Sequence, residues 1–157
     1  MLKRVIHGSI ALGLLLAISV CSSTTRSADF GLDAMFASEF AQDWVSAWNG
    51  KDLPRILSHY SDDVEFTSPF IVLRGIDPNG RVAGKQALSD YWSAALMSNP
   101  DLHFDLQSVV VGVDSIAILY KTNAGGSERL AAEVFHFNAA GKVSRSYAHY
   151  GQPPQMP

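Results

Sequence analysis

Cysteine is nearly absent from the sequence, since Cys21 is the single one among 157 residues. One cysteine cannot form an intramolecular disulfide, and the metal-binding spacing C-x-x-C is excluded with it. The chain also lacks the HExxH zinc motif, a phosphate-binding P-loop and a glycine-rich dinucleotide fingerprint. These absences argue against most chemistry that depends on a metal or a nucleotide, and we expect no cofactor and no metal site.

Charge is also scarce, at 17% of residues, and acidic residues outnumber basic ones to give a formal net charge of −3. The lysines and arginines do not gather into a basic stripe. A mildly acidic chain of this kind gives no reason to expect nucleic acid or an anionic membrane surface as partner. Hydrophobic residues make up 47% of the sequence, and a chain of this length is typical of one globular domain that needs no disulfide.

Residues 1–28 differ from the rest of the chain. Two basic residues near the start precede an apolar run over residues 10–20, and small polar residues follow from Cys21 onward. This order is typical of a secretory signal peptide, and the run is shorter than the about 20 residues of a membrane span. Cys21 also resembles the lipidated cysteine of bacterial lipoproteins, although Val20 stands where that motif has a small residue. We expect export, to the periplasm or as a secreted protein, and membrane attachment only through an uncleaved leader or a lipid on Cys21.

Helical periodicity begins directly after this leader. Aromatic residues recur at every fourth position and form one apolar face, at Phe36, Phe40, Trp44 and Trp48. The pattern further predicts a short second helix ending near Tyr60, a turn over residues 61–63, a strand over residues 64–67, a loop over residues 68–84 and a third helix over residues 85–98. A loop of that length in a compact domain is usually a functional lid or rim.

The second half of the chain reads as strands joined by short turns. The strands are predicted over residues 102–113, 115–122, 128–138 and 142–150. Turns this short require neighbouring strands to pair antiparallel. Helices grouped first and strands grouped last predict the α+β class, with a curved antiparallel sheet packed against about three helices around one apolar pocket.

Three stretches carry a resemblance to a known family, over residues 59–69 (HYSDDVEFTSP), 84–96 and 133–143 (EVFHFNAAGKV). They resemble the nuclear transport factor 2 superfamily, and within it the SnoaL-like polyketide cyclases and ketosteroid isomerases. The resemblance covers roughly residues 33–150, so residues 29–157 are expected to form one SnoaL-like domain. It implies a cone in which a bent antiparallel sheet wraps around the helices and leaves a pocket at the open end.

The resemblance also implies roles for single positions. Ser68, ahead of Pro69, stands where ketosteroid isomerases have their carboxylate base, and Trp44 and Trp92 stand where they have two tyrosines. Glu133 matches the carboxylic acid of the isomerase oxyanion hole. A serine without a partnered base cannot move a proton from a carbon acid near neutral pH. The pattern therefore argues against an ordinary ketosteroid isomerase.

Glu133 also stands out from the residues alone. Two-residue alternation places it on the same strand face as Phe135 and Phe137. If that face points inward, desolvation raises the pKa of the carboxyl into a useful acid–base range; a hydrogen-bonded structural glutamate, or a strand with its other face inward, is the alternative. His149 and Tyr150 end the last strand with opposite facing, and His149 is a second acid–base candidate unless it is a solvated edge residue.

These residues together predict a function for the exported domain. Besides Glu133, the expected pocket residues are Trp44, Phe66, Ser68, Tyr91, Trp92, Phe135 and Tyr150. We expect binding of a small apolar or polycyclic molecule, with cofactor-free acid–base chemistry of the isomerase or cyclase type through Glu133. The alternative is a non-catalytic ligand-binding or assembly module that forms a homodimer through the exposed sheet face. No complete acid–base pair is visible in the sequence, so both hypotheses remain.

Overall fold

The structure is a computed structural model that describes residues 31–152 of the chain. The leader expected over residues 1–28, with the lipidation candidate Cys21, lies outside the described residues, and so do residues 153–157. Among the helices of the described part, none is both long and apolar enough to cross a bilayer.

The described residues form four helices and six strands. In chain order these are α1 (Ala34–Asn49), α2 (Leu53–Ser58), β1 (Tyr60–Thr67), α3 (Pro69–Leu73), β2 (Arg81–Ala83), α4 (Lys85–Ser98), β3 (Phe104–Val111), β4 (Ser115–Thr122), β5 (Arg129–Phe137) and β6 (Val143–Tyr150). All six strands join one curved, unclosed sheet in the order β2-β1-β6-β5-β4-β3. This arrangement confirms the α+β cone that the sequence predicts.

The first helix is held against the concave face of the sheet by its aromatic side. Asp33 caps the helix by accepting a hydrogen bond from the backbone N–H of Phe36 at 2.8 Å. Phe40 and Trp44 pack edge-on against Phe135 of β5, with ring centroids 4.9 and 5.4 Å apart. Burial of an aromatic side chain of this size stabilises the fold by about 2–3 kcal/mol relative to exposure. The periodic aromatics therefore place α1 across the sheet, as predicted.

The predicted turn over residues 61–63 is wrong, because β1 begins already at Tyr60. Two contacts extend the strand: Ser61 Oγ is buried and donates to the backbone oxygen of Val143, and the Val143 N–H donates to the backbone oxygen of His59. The polar residues that read as turn chemistry instead occupy a strand next to β6. Tertiary pairing overrides their local preference here.

The predicted loop over residues 68–84 is also wrong in part, since it contains α3 and β2. Ser68 caps α3 by accepting from the backbone N–H of Phe70 at 3.2 Å, and Pro69 occupies the first turn. Serine followed by proline is a common helix start, but the glycines and prolines around it indicate a loop. The helix count is therefore four instead of about three.

One strand pairing departs from the expected antiparallel sheet. Four of the five neighbouring pairs are antiparallel, whereas β1 runs parallel to β6. Short turns dictate antiparallel pairing only between strands that follow one another in the chain. The chain between β1 and β6 holds six other elements, so no turn constrains their relative direction.

Candidate functional site

A cavity lies between the concave face of the sheet and the helices α1 and α4, with α3 at its mouth. Its walls are mostly aromatic and are contributed by Trp44, Trp48, Phe66, Phe70, Arg74, Tyr91, Trp92, Ala95, Asn99, Leu102, Phe104, Tyr120, Ala124, Gly125, Glu133 and Tyr150. The space open to the centre of a water molecule is about 50 Å³, and the total empty space of about 530 Å³ includes open solvent. The smaller volume describes the enclosed part, which holds a few water molecules; an apolar cavity of about 150 Å³ takes benzene.

Glu133 lies in the wall of this cavity and is 3% exposed. It points inward because alternate residues of β5 share a face, and its neighbours on that face are buried too. Ser146 Oγ on β6 donates a hydrogen bond to Glu133 Oε1. Within residues 31–152, no lysine, arginine or histidine forms an ion pair with this carboxyl.

The surroundings of Glu133 favour its neutral form. Burial raises the pKa of the carboxyl to about 7, while the hydroxyls of Ser146 and Tyr120 act in the opposite direction and lower it. Burial also raises the pKa of Tyr120 and of Tyr150, so both keep their protons at neutral pH. Glu133 is therefore the cavity group that exchanges a proton near neutral pH.

Two buried polar atoms of the cavity wall lack ordinary hydrogen bonds within the described part of the chain. Trp48 Nε1 has no acceptor, and Tyr120 Oη has no partner of normal geometry, although Tyr120 lies near enough to Glu133 to affect its pKa. Trp44 Nε1, by contrast, donates to Tyr60 Oη at 2.9 Å. Trp44 therefore lines the cavity with its indole N–H already paired, whereas Trp48 lines it with an N–H that has no acceptor among the described residues.

The structure brings most of the predicted site residues together. The residues that line the cavity as expected are Trp44, Phe66, Tyr91, Trp92, Glu133 and Tyr150. Ser68 and Phe135 are buried but lie behind the wall: Ser68 caps α3, and Phe135 packs between Phe40 and Trp44. Neither residue belongs to the lining of this cavity.

His149 does not face the cavity, so its suggested role as a base of that site is wrong. It is exposed, and its ring nitrogen lies 3.1 Å from the backbone oxygen of Tyr147. Ala148 and Tyr150, its neighbours in β6, point the other way, Ala148 buried and Tyr150 into the cavity wall. Alternation along the strand predicts that His149 and Tyr150 face opposite sides, but not which of them faces inward.

Sequence reasoning predicts a lid or rim over residues 68–84 but not the helix α3 that forms the mouth of the cavity. Phe70 packs against Tyr150 with ring centroids 4.4 Å apart, and Gly125 lies beside it. Gly125 has a φ of +80°, and a Cβ there would come within 2.9 Å of Phe70 Cζ, so glycine suits this position for both reasons. The inward alternation of β4 was a usable signal for Tyr120, whereas Phe70 depends on a helix that the sequence did not reveal.

The cone-shaped sheet with an aromatic cavity defines the class of the protein as nuclear transport factor 2-like. Residues 41–146 match the family model of the SnoaL-like domain. A SnoaL-like protein of unknown function from Burkholderia thailandensis, known from a crystal structure, is 45% identical, with a TM-score of 0.71 over 77% of this chain and 99% of that chain. The chain belongs to the SnoaL-like family, which confirms the resemblance seen in the sequence.

More distant structures share the fold alone. A nuclear transport factor 2-like protein of unknown function from Cytophaga hutchinsonii is 11% identical, with a TM-score of 0.58 over 73% of this chain and 89% of that chain. Bal32a, from a soil-derived mobile gene cassette, is 17% identical, with a TM-score of 0.61 over 74% and 90%. No curated protein matches the chain.

Proposed function

We propose that the protein binds a small, mostly apolar molecule in this cavity and that neutral Glu133 donates a hydrogen bond to a carbonyl oxygen of that molecule. The observation that carries the proposal is a buried carboxyl without a cation partner in an aromatic cavity. Buried polar groups normally have partners. Among the described residues, Trp48 Nε1 in the same wall has no acceptor and Tyr120 Oη has no partner of normal geometry, so both offer further positions that a ligand can satisfy.

The chemistry that fits this site is acid–base chemistry of the isomerase or cyclase type without a cofactor. A carboxyl with a pKa of about 7 can donate to a carbonyl oxygen and take the proton back near neutral pH. Ser68, which the resemblance places at the isomerase base, caps α3, and among the described residues no hydrogen bond joins its hydroxyl to a carboxylate or a histidine. The proposed reaction is therefore limited to polarising the carbonyl and moving one proton through Glu133.

The size of the cavity restricts the ligand. The enclosed space of about 50 Å³ is smaller than the about 150 Å³ that accommodates benzene, so even a ligand of one ring must extend into the mouth. A polycyclic molecule requires the mouth residues, such as Phe70, to move. Burial of apolar surface supplies most of the affinity of such sites, and a few polar groups fix the orientation.

The experiment is a tryptophan fluorescence titration with 2-cyclohexenone between pH 5.5 and 8.5, because three tryptophans line the cavity. We expect saturable binding that weakens by about tenfold as the pH rises well above 7, since the ionised carboxyl cannot donate. Glu133→Gln should bind without this pH dependence. The matched control is Glu128→Gln, at an exposed position outside the cavity wall, which should behave as wild type.

Two results would contradict this proposal. The first is the absence of a saturable signal with any small cyclic ketone or enone at pH 5.5, where Glu133 carries its proton. The second is wild-type binding that does not change with pH, because the donor role of Glu133 would then be excluded.

We propose self-association through the outer sheet face as a second candidate, compatible with ligand binding. Strand register places Ala117 beside Val134 and Leu119 beside Ala132 on that face, and Leu130 near them is exposed. Apolar sheet faces of this kind favour association. Sedimentation of wild type and Leu119→Lys tests it: a dimer lost in the variant supports the idea, and a wild-type monomer at micromolar concentration contradicts it.

We propose that the domain acts outside the cytoplasm, on the basis of the signal-peptide pattern of residues 1–28. The intact mass of the protein expressed in a bacterial host tests this. A mass that lacks about the first 20 residues is expected, and a diacylglyceryl group on Cys21 would identify the lipoprotein route. A product that retains these residues would contradict cleavage.

A further inference from the structure

The mouth of the cavity carries an exposed arginine, Arg74, that forms no ion pair among the described residues. Arg74 lines the cavity directly after α3, and its guanidinium lies over the ring of Tyr91, 5.7 Å from the centroid. Among the described residues, its side chain forms no ion pair and donates no hydrogen bond. Stacking on an aromatic ring orients a guanidinium while it leaves the N–H donors at the edge available.

A second guanidinium lies at the same mouth. Arg129 is 6.0 Å from the ring centroid of Phe70, another lining residue, and donates hydrogen bonds to the backbone and hydroxyl oxygens of Ser127. Arg129 also forms no ion pair within residues 31–152. Two cations therefore stand over two aromatic rings of one opening.

Nearby carboxylates do not neutralise Arg74. Asp77 and Asp90 line the adjacent surface groove with it. Asp77 accepts hydrogen bonds from the backbone N–H groups of Asn79 and Arg81, and Asp90 accepts one from the side chain of Gln86. Neither carboxylate forms an ion pair with Arg74.

We propose that the ligand of the cavity is a carboxylic acid whose apolar ring lies inside and whose carboxylate binds Arg74 at the mouth. This inference rests on the proposed function, because it assigns a charge to the ligand of the same site. A guanidinium binds a carboxylate through two parallel hydrogen bonds. One directly placed arginine suits a singly charged carboxylate better than a phosphate dianion, which is usually held by several donors.

The proposed ligand therefore has a fixed orientation in the cavity. Its carboxylate lies near Arg74, with Arg129 contributing a second positive charge, and a carbonyl at the far end of the ring reaches Glu133. The neutral form of Glu133 is required for this arrangement, since an ionised carboxyl would repel the anion.

The experiment compares 4-oxocyclohexanecarboxylate with its methyl ester, two molecules that share the ring and the ketone and differ in charge. Binding to wild type, Arg74→Gln and Arg145→Gln is measured by tryptophan fluorescence at pH 6 and low salt. Arg145 is the matched control because it is exposed on the outer sheet face and forms no ion pair within the described part of the chain. Thermal unfolding of each variant confirms that it is folded.

We expect wild type to bind the acid about tenfold more tightly than the ester, because only the acid gains the charge-assisted hydrogen bonds of Arg74. Arg74→Gln should remove this preference by weakening acid binding about tenfold, since the change takes away the ionic contact that only the acid makes. Arg145→Gln should keep the preference. Added salt should reduce it in wild type, because exposed charges are screened.

The outcomes separate this inference from the proposed function. If wild type binds the ester and the acid with equal affinity, the carboxylate inference is overturned, while the proposal of ligand binding stands. Equal losses in Arg74→Gln and Arg145→Gln would overturn the role of Arg74. A protein that binds neither molecule would contradict the proposed function as well.

Discussion

Two carboxylates of this protein have opposite surroundings. Asp43 on α1 is 39% exposed in its side chain, accepts hydrogen bonds from Arg55, and lies 2.8 Å from His59 Nε2. The hydrogen bond from Arg55 is the main cause that lowers the pKa of Asp43. Glu133 is buried without a cation, and burial raises its pKa to about 7. The surface carboxylate Asp43 is paired with cations, whereas the cavity carboxyl Glu133 is held in the neutral form that is less common for a glutamate.

The comparison shows which region of the fold lowers the free energy of unfolding. A paired charge at the surface costs little folding free energy because water still solvates it. A carboxyl, an indole N–H and a phenol without full partners in one cavity each cost free energy, and such groups cluster at functional sites. The difference between the two regions is therefore an argument for a site at Glu133, and it can be tested by changing each region in turn.

The largest effect is expected for Glu133→Gln. A carboxyl whose pKa is higher in the folded protein stabilises the fold at low pH, and this contribution is lost as the pH rises from the unfolded value near 4.5 through about 7. The free energy of unfolding of Glu133→Gln, relative to that of wild type, should therefore rise by roughly 3 kcal/mol between pH 4 and pH 8.5. Denaturant unfolding at both pH values measures it, and a constant difference would show that Glu133 is ionised as an exposed glutamate is.

A smaller difference in stability is expected between the variants Tyr60→Phe and Tyr120→Phe. Tyr60→Phe removes the acceptor of Trp44 Nε1 and should destabilise the fold by about 1–3 kcal/mol. Tyr120→Phe removes a hydroxyl that has no partner of normal geometry in the described residues, and should change stability by less than about 0.5 kcal/mol. Urea unfolding of both variants provides the comparison. A greater loss for Tyr120→Phe would mean that the cavity hydroxyl is paired.

The smallest effect is expected for Asp43→Asn. The lowered pKa of Asp43 stabilises the fold above the unfolded value, and this contribution disappears as the pH falls through the folded pKa. The variant should therefore lose less than about 1 kcal/mol at pH 7, because the pair is partly exposed, and this loss should shrink as the pH falls below the ordinary aspartate pKa. Its pH dependence is opposite in sign to that of Glu133→Gln. A loss that grows with decreasing pH would contradict the pairing of Asp43.

The sequence predicts the parts of the site that lie on long periodic elements. Trp44 and Glu133 are placed correctly because four-residue and two-residue periods assign the inward faces of α1 and β5. Phe70 and Arg74 lie in the segment predicted as a lid or rim, but α3, the five-residue helix that brings them to the mouth, was not predicted because the segment is rich in glycine and proline. A short helix has no periodic signal, and its position depends on contacts with the rest of the fold.

The relative direction of the strands was likewise only partly predictable from the sequence. Short turns predict the antiparallel meander from β3 to β6, but the parallel pairing of β1 with β6 joins residues far apart in the chain. The identity of the indole that lacks an acceptor was also hidden, because it depends on which side chain Tyr60 meets across the core.

The most direct test is a titration of the Glu133 carboxyl by carbon-detected NMR of protein labelled at the glutamate side chains. Comparison with the spectrum of Glu133→Gln assigns the signal. A midpoint near pH 7 in the ligand-free protein is the predicted result, because burial without a cation disfavours the ionised form. A midpoint near 4.5, the ordinary value for a glutamate, would contradict the neutral acid on which the proposed function depends.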